Sequence, residues 1–144
     1  MGIRKTVFFV VLSVIMTIIL TTNEAQAGMC GYNISTTVWD WSNGNPYIIN
    51  GNTSYQTLYS EYLFTGGNAY SLYLESSNNS GSNMTVKLWK RNIYGSDILI
   101  DSFTINIGGS VSKFYGSDKV ASGSKYYLEF SPSAIFTGEF TKVY

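Results

Sequence analysis

The residue types that carry most enzymatic chemistry are scarce in this chain of 144 residues, which has no histidine and a single cysteine. Without histidine there is no Ser-His-Asp or Cys-His pair, no histidine general base and no histidine metal ligand. A single cysteine also excludes an internal disulfide, a zinc ribbon and a CxxC redox motif. These absences lead us to predict a protein without enzymatic activity and without a catalytic residue.

Carboxylates are the remaining groups that could act as an acid and a base. A glycosidase needs two of them across a cleft, and the sequence allows Asp97 with Asp101 or Glu75 with Glu129. No motif marks either pair, so we expect solvated carboxylates. Calcium bound by Asp and Asn oxygens, for example in residues 78–83, is an alternative, although no EF-hand spacing is present. We therefore predict neither a cofactor nor a metal.

Aromatic side chains are abundant, with three Trp, twelve Tyr and eight Phe. Such rings stack on sugar rings and other flat ligands. Trp89 is the first candidate for a binding residue, because it shares the polar side of its strand with Lys87. Trp39 and Trp41 are two residues apart, so on a strand both indoles would share one face, as a platform or as core. Tyr73 is the fourth candidate.

The lone cysteine, Cys30, has two interpretations. In an oxidising compartment it has no partner in its own chain, which favours an intermolecular disulfide or a reactive thiol. Alternatively, it is a free thiol that the first strand tolerates. Both interpretations stay open.

The amino terminus has the features of a secretory signal peptide. Arg4 and Lys5 precede a run of about 14 mostly apolar residues, which is shorter than the ~20 that a membrane-spanning helix needs. Small residues at Ala25 and Ala27 predict cleavage after Ala27. We therefore expect residues 1–27 to be removed, leaving one secreted domain, residues 28–144, without a transmembrane anchor. With Arg4, Lys5 and Glu24 gone, seven basic and eight acidic residues remain, so nothing favours binding to nucleic acid.

The elements that must position these residues are β-strands. Segments rich in Val, Ile, Thr, Tyr and Phe alternate with Gly, Asn and Ser clusters, which is typical of a sandwich or barrel. The predicted strands are residues 32–41, 47–50, 59–65, 69–76, 84–89, 97–107, 110–115, 124–131 and 136–144. Glycines at 66–67 and 108–109 predict hairpins. The fold class is all-β, a two-layer antiparallel β-sandwich of about eight strands, jelly-roll-like.

The strand segments 71–74, 85–89 and 125–130, separated by polar turns, are similar in rhythm to the bacterial pre-peptidase C-terminal β-sandwich and to carbohydrate-binding jelly rolls. The whole precursor, with its leader ending Ala25-Gln26-Ala27, also resembles small secreted proteins of Bacillus-type bacteria, some of them prophage-encoded. Neither resemblance supplies a functional residue.

The sequence thus favours a secreted, non-enzymatic protein that binds a saccharide or a cell-envelope component through exposed aromatics. The alternative is a secreted toxin or bacteriocin-like protein that acts on neighbouring cells through amphipathic strands. A third hypothesis is a small glycosidase. The oligomeric state is left open.

Overall fold

A computed structural model describes residues 27–53 and 55–144, which form a two-layer β-sandwich. The predicted leader lies outside the described residues except for Ala27, the first residue of β1. The strands are β1 (Ala27–Met29), β2 (Tyr47–Asn52), β3 (Leu58–Tyr59), β4 (Tyr70–Ser76), β5 (Met84–Lys90), β6 (Ile98–Ile105), β7 (Ser110–Tyr115), β8 (Tyr126–Ser131) and β9 (Ile135–Lys142). No helix in the described ranges is long and apolar enough to cross a membrane.

One sheet has the order β1-β2-β9-β4-β7 and the other β3-β8-β5-β6. Apart from β5 and β6, which form a hairpin within the second sheet, consecutive strands from β2 to β9 alternate between the sheets as in a jelly roll, which confirms the predicted class. The described residues hold nine strands, and the short β1 pairs with β2 in parallel. Both predicted hairpins are wrong: β3 pairs with β8 and β6 with β5, so the chain crosses between sheets at glycines 66–67 and 108–109. A glycine turn can join two neighbouring strands of one sheet or lead the chain to the other sheet. Only the pairing partners of the two strands distinguish these cases.

The core lies between the sheets and is built by strict alternation along the strands. On β4, Tyr70, Leu72 and Leu74 are buried while the residues between them are exposed. On β5, Met84, Val86 and Leu88 point inward in the same way, as the alternation predicts. Many of the fully buried side chains are aromatic, such as Tyr70, which stacks on Phe140 with 5.0 Å between ring centroids. Much of the aromatic content therefore belongs to the core.

The predicted strand at residues 32–41 is wrong. This segment is irregular, and its backbone forms one isolated bridge, between Val38 and Leu63. It packs two tryptophans, Trp39 and Trp41, against the core. The predicted turn after it is present: Gly44 has a φ of 68°, and its N–H donates to the Trp41 carbonyl at 2.9 Å. Tertiary packing of indoles thus replaces the strand pairing that the β-prone composition predicts.

Candidate functional site

The outer face of the four-stranded sheet carries Trp89 within a bonded cluster. The half-buried Trp89 indole lies nearly parallel to the Tyr127 ring, with 6.5 Å between centroids. Its Nε1–H donates to Glu129 Oε2 at 2.7 Å, and the same carboxylate accepts from Lys87 Nζ at 3.0 Å. Lys87 Nζ also lies over the indole ring, 5.7 Å from its centroid, so both the ring and its only donor are already engaged within the protein.

The Trp89 cluster is closed by a second carboxylate. The buried Tyr127 donates its hydroxyl to Asp97 Oδ2 at 2.8 Å, and Arg91 pairs with the same oxygen at 2.9 Å. Burial raises the pKa of Tyr127, and its bond to Asp97 raises it further. Burial opposes ionisation of Asp97 too, but hydrogen bonds from Asn92 and Arg91 outweigh it and lower its pKa. The Tyr127 hydroxyl and the Asp97 carboxylate therefore already have hydrogen-bond partners within the protein.

Trp39 and Trp41 meet, but not as a platform on a strand. Their rings make an edge contact with 6.4 Å between centroids. Trp41 is 8% exposed, and its Nε1–H donates to the Thr65 carbonyl at 3.0 Å, so no ligand ring can stack on it. Trp39 is half-buried and packs edge-on against Tyr47 and Tyr62. The Nε1 of Trp39 has no hydrogen-bond partner among the described residues.

Tyr73 lies on the opposite side of the sandwich from Trp89, on the outer face of the five-stranded sheet. Its side chain is 39% exposed, and its hydroxyl donates to Glu75 Oε2 at 3.2 Å. Glu139 of β9 and Ser112 of β7 flank it in register. The structure therefore does not bring the predicted aromatic residues into one site.

An open depression of about 480 Å³ begins at Glu75, the next residue on the same face of β4 and the acceptor of the Tyr73 hydroxyl. We call it the polar groove, because amide, hydroxyl and carboxylate side chains form most of its lining. The lining residues are Asn50, Glu75, Ser76, Ser77, Asn78, Asn79, Gly108, Ile135, Phe136 and Thr137. Asn50, Thr137 and Glu75 form one cross-strand row over β2, β9 and β4. Its volume lies within the range of small-molecule sites, roughly 300–1,000 Å³.

Sequence reasoning considered Glu75 only as one of a carboxylate pair and Asn78 and Asn79 only within a possible calcium loop, and it missed the other residues of the polar groove. Asn50, Glu75, Ile135 and Thr137 occupy outward positions of β2, β4 and β9, which alternation alone can identify, whereas Ser76 and Phe136 are buried at its floor. Its loop residues come from the Asn- and Ser-rich stretch at 77–81. The adjacency of β2, β9 and β4 was the missing information, because these strands are distant in the sequence.

Neither carboxylate pair considered for a glycosidase shares a cleft. Glu75 and Glu129 lie on the outer faces of opposite sheets. Asp97 is engaged by Arg91, and Asp101 accepts from Tyr115 at 3.2 Å and pairs with Lys113 at 3.4 Å. Within the part of the chain that is described, no three Cys, Asp or Glu side chains are grouped as metal ligands.

Cys30 is half-buried against the core, next to the end of β1. Its N–H donates to the Asn50 carbonyl at 3.3 Å. Burial, helped by the carboxylate of Glu61, raises the pKa of the thiol to about 12. A neutral thiol is a poor nucleophile, so this position does not favour a reactive cysteine. The predicted intermolecular disulfide stays a prediction.

No family model matches the chain, and no curated protein does. Among solved structures, the Yersinia pseudotuberculosis-derived mitogen matches over 69% of this chain and 87% of its own, with 14% identity and a TM-score of 0.45. A structure of Bacillus endospore appendages, described as disulfide-linked pili, matches over 76% and 100%, with 16% identity and a TM-score of 0.44. A family 16 carbohydrate-binding module matches over 69% and 76%, with 8% identity and a TM-score of 0.38.

Proposed function

We propose that this protein is exported, loses residues 1–27, and binds a saccharide in the polar groove without chemically changing it. The observation that supports the proposal most is the open depression of about 480 Å³, lined by amides, hydroxyls and a carboxylate beside the exposed ring of Tyr73. Sugars offer hydroxyl groups for hydrogen bonds and C–H faces for aromatic rings. A polar depression with an adjoining tyrosine supplies both.

The charge of this surface narrows the class of saccharide. The outward positions of β2, β4, β7 and β9 carry two carboxylates, Glu75 and Glu139, and no Lys or Arg. An anionic polymer would meet like charges here, which weakens binding and slows encounter. We therefore expect a neutral or amino-bearing saccharide in place of a phosphate- or uronate-rich one.

Calorimetry of the purified domain against neutral, amino-bearing and anionic polysaccharides tests the proposal. Tyr73→Ala should weaken binding about tenfold, the loss of roughly 1.4 kcal/mol of ring contact. Tyr94→Ala is the matched control, because Tyr94 is 93% exposed but lies in the loop between β5 and β6, away from the groove. If Trp89→Ala abolishes binding and Tyr73→Ala leaves it intact, the binding site lies on the other sheet, at the residue that the sequence analysis ranked first. Absence of binding to every polysaccharide would refute the function.

One feature favours the toxin alternative. The loop between β5 and β6 exposes Ile93 and Tyr94, by 75% and 93% respectively. Ile and Tyr side chains that project together from a loop can enter a membrane interface. Leakage of dye from lipid vesicles that Ile93→Ser reduces would support action on membranes, and absence of leakage would speak against it.

A further inference from the structure

Tyr55 combines two unusual properties. Its φ of 87° is in the left-handed region, where a bulky side chain is disfavoured, and it is the only residue other than glycine with positive φ in the described ranges. Its side chain is 92% exposed, so its ring contributes little to core packing. A strained residue whose side chain does not stabilise the fold calls for an explanation outside folding.

The backbone around Tyr55 is held from both sides. The Gln56 N–H donates to the Thr53 carbonyl at 2.8 Å, which closes a turn around Tyr55. Thr53 is buried, and its N–H donates to the Ala134 carbonyl at 2.9 Å, while its Oγ1 accepts from the Ala134 N–H at 2.6 Å. These bonds anchor the turn to the segment that precedes β9. Tyr55 therefore lies between two residues, Thr53 and Gln56, whose backbone N–H groups are both hydrogen-bonded.

Tyr55 lines a second depression of about 230 Å³ with Asn52, Asn79, Gly81, Ser133, Ala134 and Ile135. Asn79 and Ile135 also line the polar groove, so the two depressions are adjacent. On β9, Glu139 pairs with Tyr73 of β4, and Ile135 lies four residues before Glu139. At about 3.3 Å per residue, Tyr73 and Ile135 are therefore about 13 Å apart along the strand direction. Tyr55 follows Asn52, the β2 residue paired with Ile135, and lines the second depression, so Tyr73 and Tyr55 lie near opposite ends of the two adjacent depressions.

We propose that Tyr55 is a second stacking residue and that the ligand is a saccharide chain of several units lying along β9 from Tyr73 to Tyr55. This inference rests on the proposed function, since it extends the same groove. A single sugar ring is too short to contact both tyrosines. Affinity should therefore rise with chain length until the ligand reaches Tyr55.

Calorimetry with oligosaccharides of N-acetylglucosamine, glucose and galactose, from the disaccharide to the hexasaccharide, tests the inference. In the unsubstituted protein the longest ligand should bind about tenfold more tightly than the shortest. Tyr55→Ala should remove this gain and leave the shortest ligand unaffected, whereas Tyr55→Phe should keep it. Tyr55→Gly should also lose the gain while melting at a higher temperature than Tyr55→Ala, because glycine accepts the positive φ without strain.

The outcomes separate the two proposals. Binding that depends on Tyr73, with a length dependence that Tyr55→Ala leaves unchanged, overturns the second subsite and retains the groove. Tight binding of the disaccharide with no gain from longer chains overturns the chain-like ligand in the same way. Absence of binding by the unsubstituted protein at every length overturns both.

Discussion

The reactivity of Cys30 provides a quantitative test of the packing around the start of the domain. Burial raises the pKa of this thiol from an ordinary 9.0 to about 12, so at pH 8 its thiolate fraction falls from about 0.1 to about 10⁻⁴. A more basic thiolate is a stronger nucleophile, and a Brønsted coefficient of roughly 0.4–0.5 over three pKa units restores a factor of about 15–30. Cys30 in the folded protein should therefore attack a disulfide reagent some 30 to 60 times more slowly than in the unfolded chain.

The assay is the rate of reaction with 4,4′-dithiodipyridine, in buffer and in guanidinium chloride, where the unfolded chain serves as its own control. In the folded protein the rate should rise about tenfold per pH unit from pH 8 to pH 10, because the pKa lies above this range, whereas an ordinary thiol begins to level off near pH 9. Folded and unfolded rates within about threefold of each other, or a plateau near pH 9, would refute the burial of Cys30. Either result would also favour the intermolecular disulfide.

Three further predictions follow from the packing and charge. Gly138→Ala should lower the free energy of unfolding by about 3 kcal/mol or more, measured by denaturant unfolding, because its new Cβ would overlap the backbone of β4. Gly123→Ala is the control: it has open space around it and should change the free energy of unfolding by less than about 1 kcal/mol. Stability should decline as the pH rises above about 10, because folding raises the pKa of several tyrosines. Their contribution to stability is present below the pKa of the unfolded chain and is lost as the pH rises towards the pKa of the folded protein. A guanidinium unfolding midpoint that stays constant from pH 8 to pH 11 would contradict this prediction. These tyrosines are Tyr47, Tyr70, Tyr115 and Tyr127. Glu75→Gln with Glu139→Gln should strengthen binding of an anionic polysaccharide at low salt, and unchanged binding in a salt titration would exclude the proposed charge selection.

The alternation of apolar residues was sufficient to locate most strands. Residues 84–89 read as a strand with Met84, Val86 and Leu88 inside, and β5 has this arrangement. The same reasoning failed for residues 32–41, where β-prone composition predicted a strand. The indoles of this segment gain more from packing on the core than its backbone gains from pairing, and composition does not report that balance.

The candidate site was less accessible to sequence reasoning than the fold. Tyr73 was among the predicted binding residues, but its neighbours in the groove come from strands far apart in the chain. Tyr55 was not predicted, because nothing in its local sequence signals a positive φ. Trp89 was correctly placed on the outward side of its strand, but its bond to Glu129 depends on the pairing of β5 with β8.

The sequence by itself determined the all-β class and the inward face of most strands, because period-two alternation is a local property of the chain. It also excluded histidine chemistry, since composition is independent of fold. Only the tertiary structure decided which strands pair, and with that which aromatics are buried and which polar side chains line a common groove. The physical reason is that sheet order is set by long-range hydrogen bonding and core packing, so residues such as Asn50 and Glu75 become neighbours only when β9 lies between their strands.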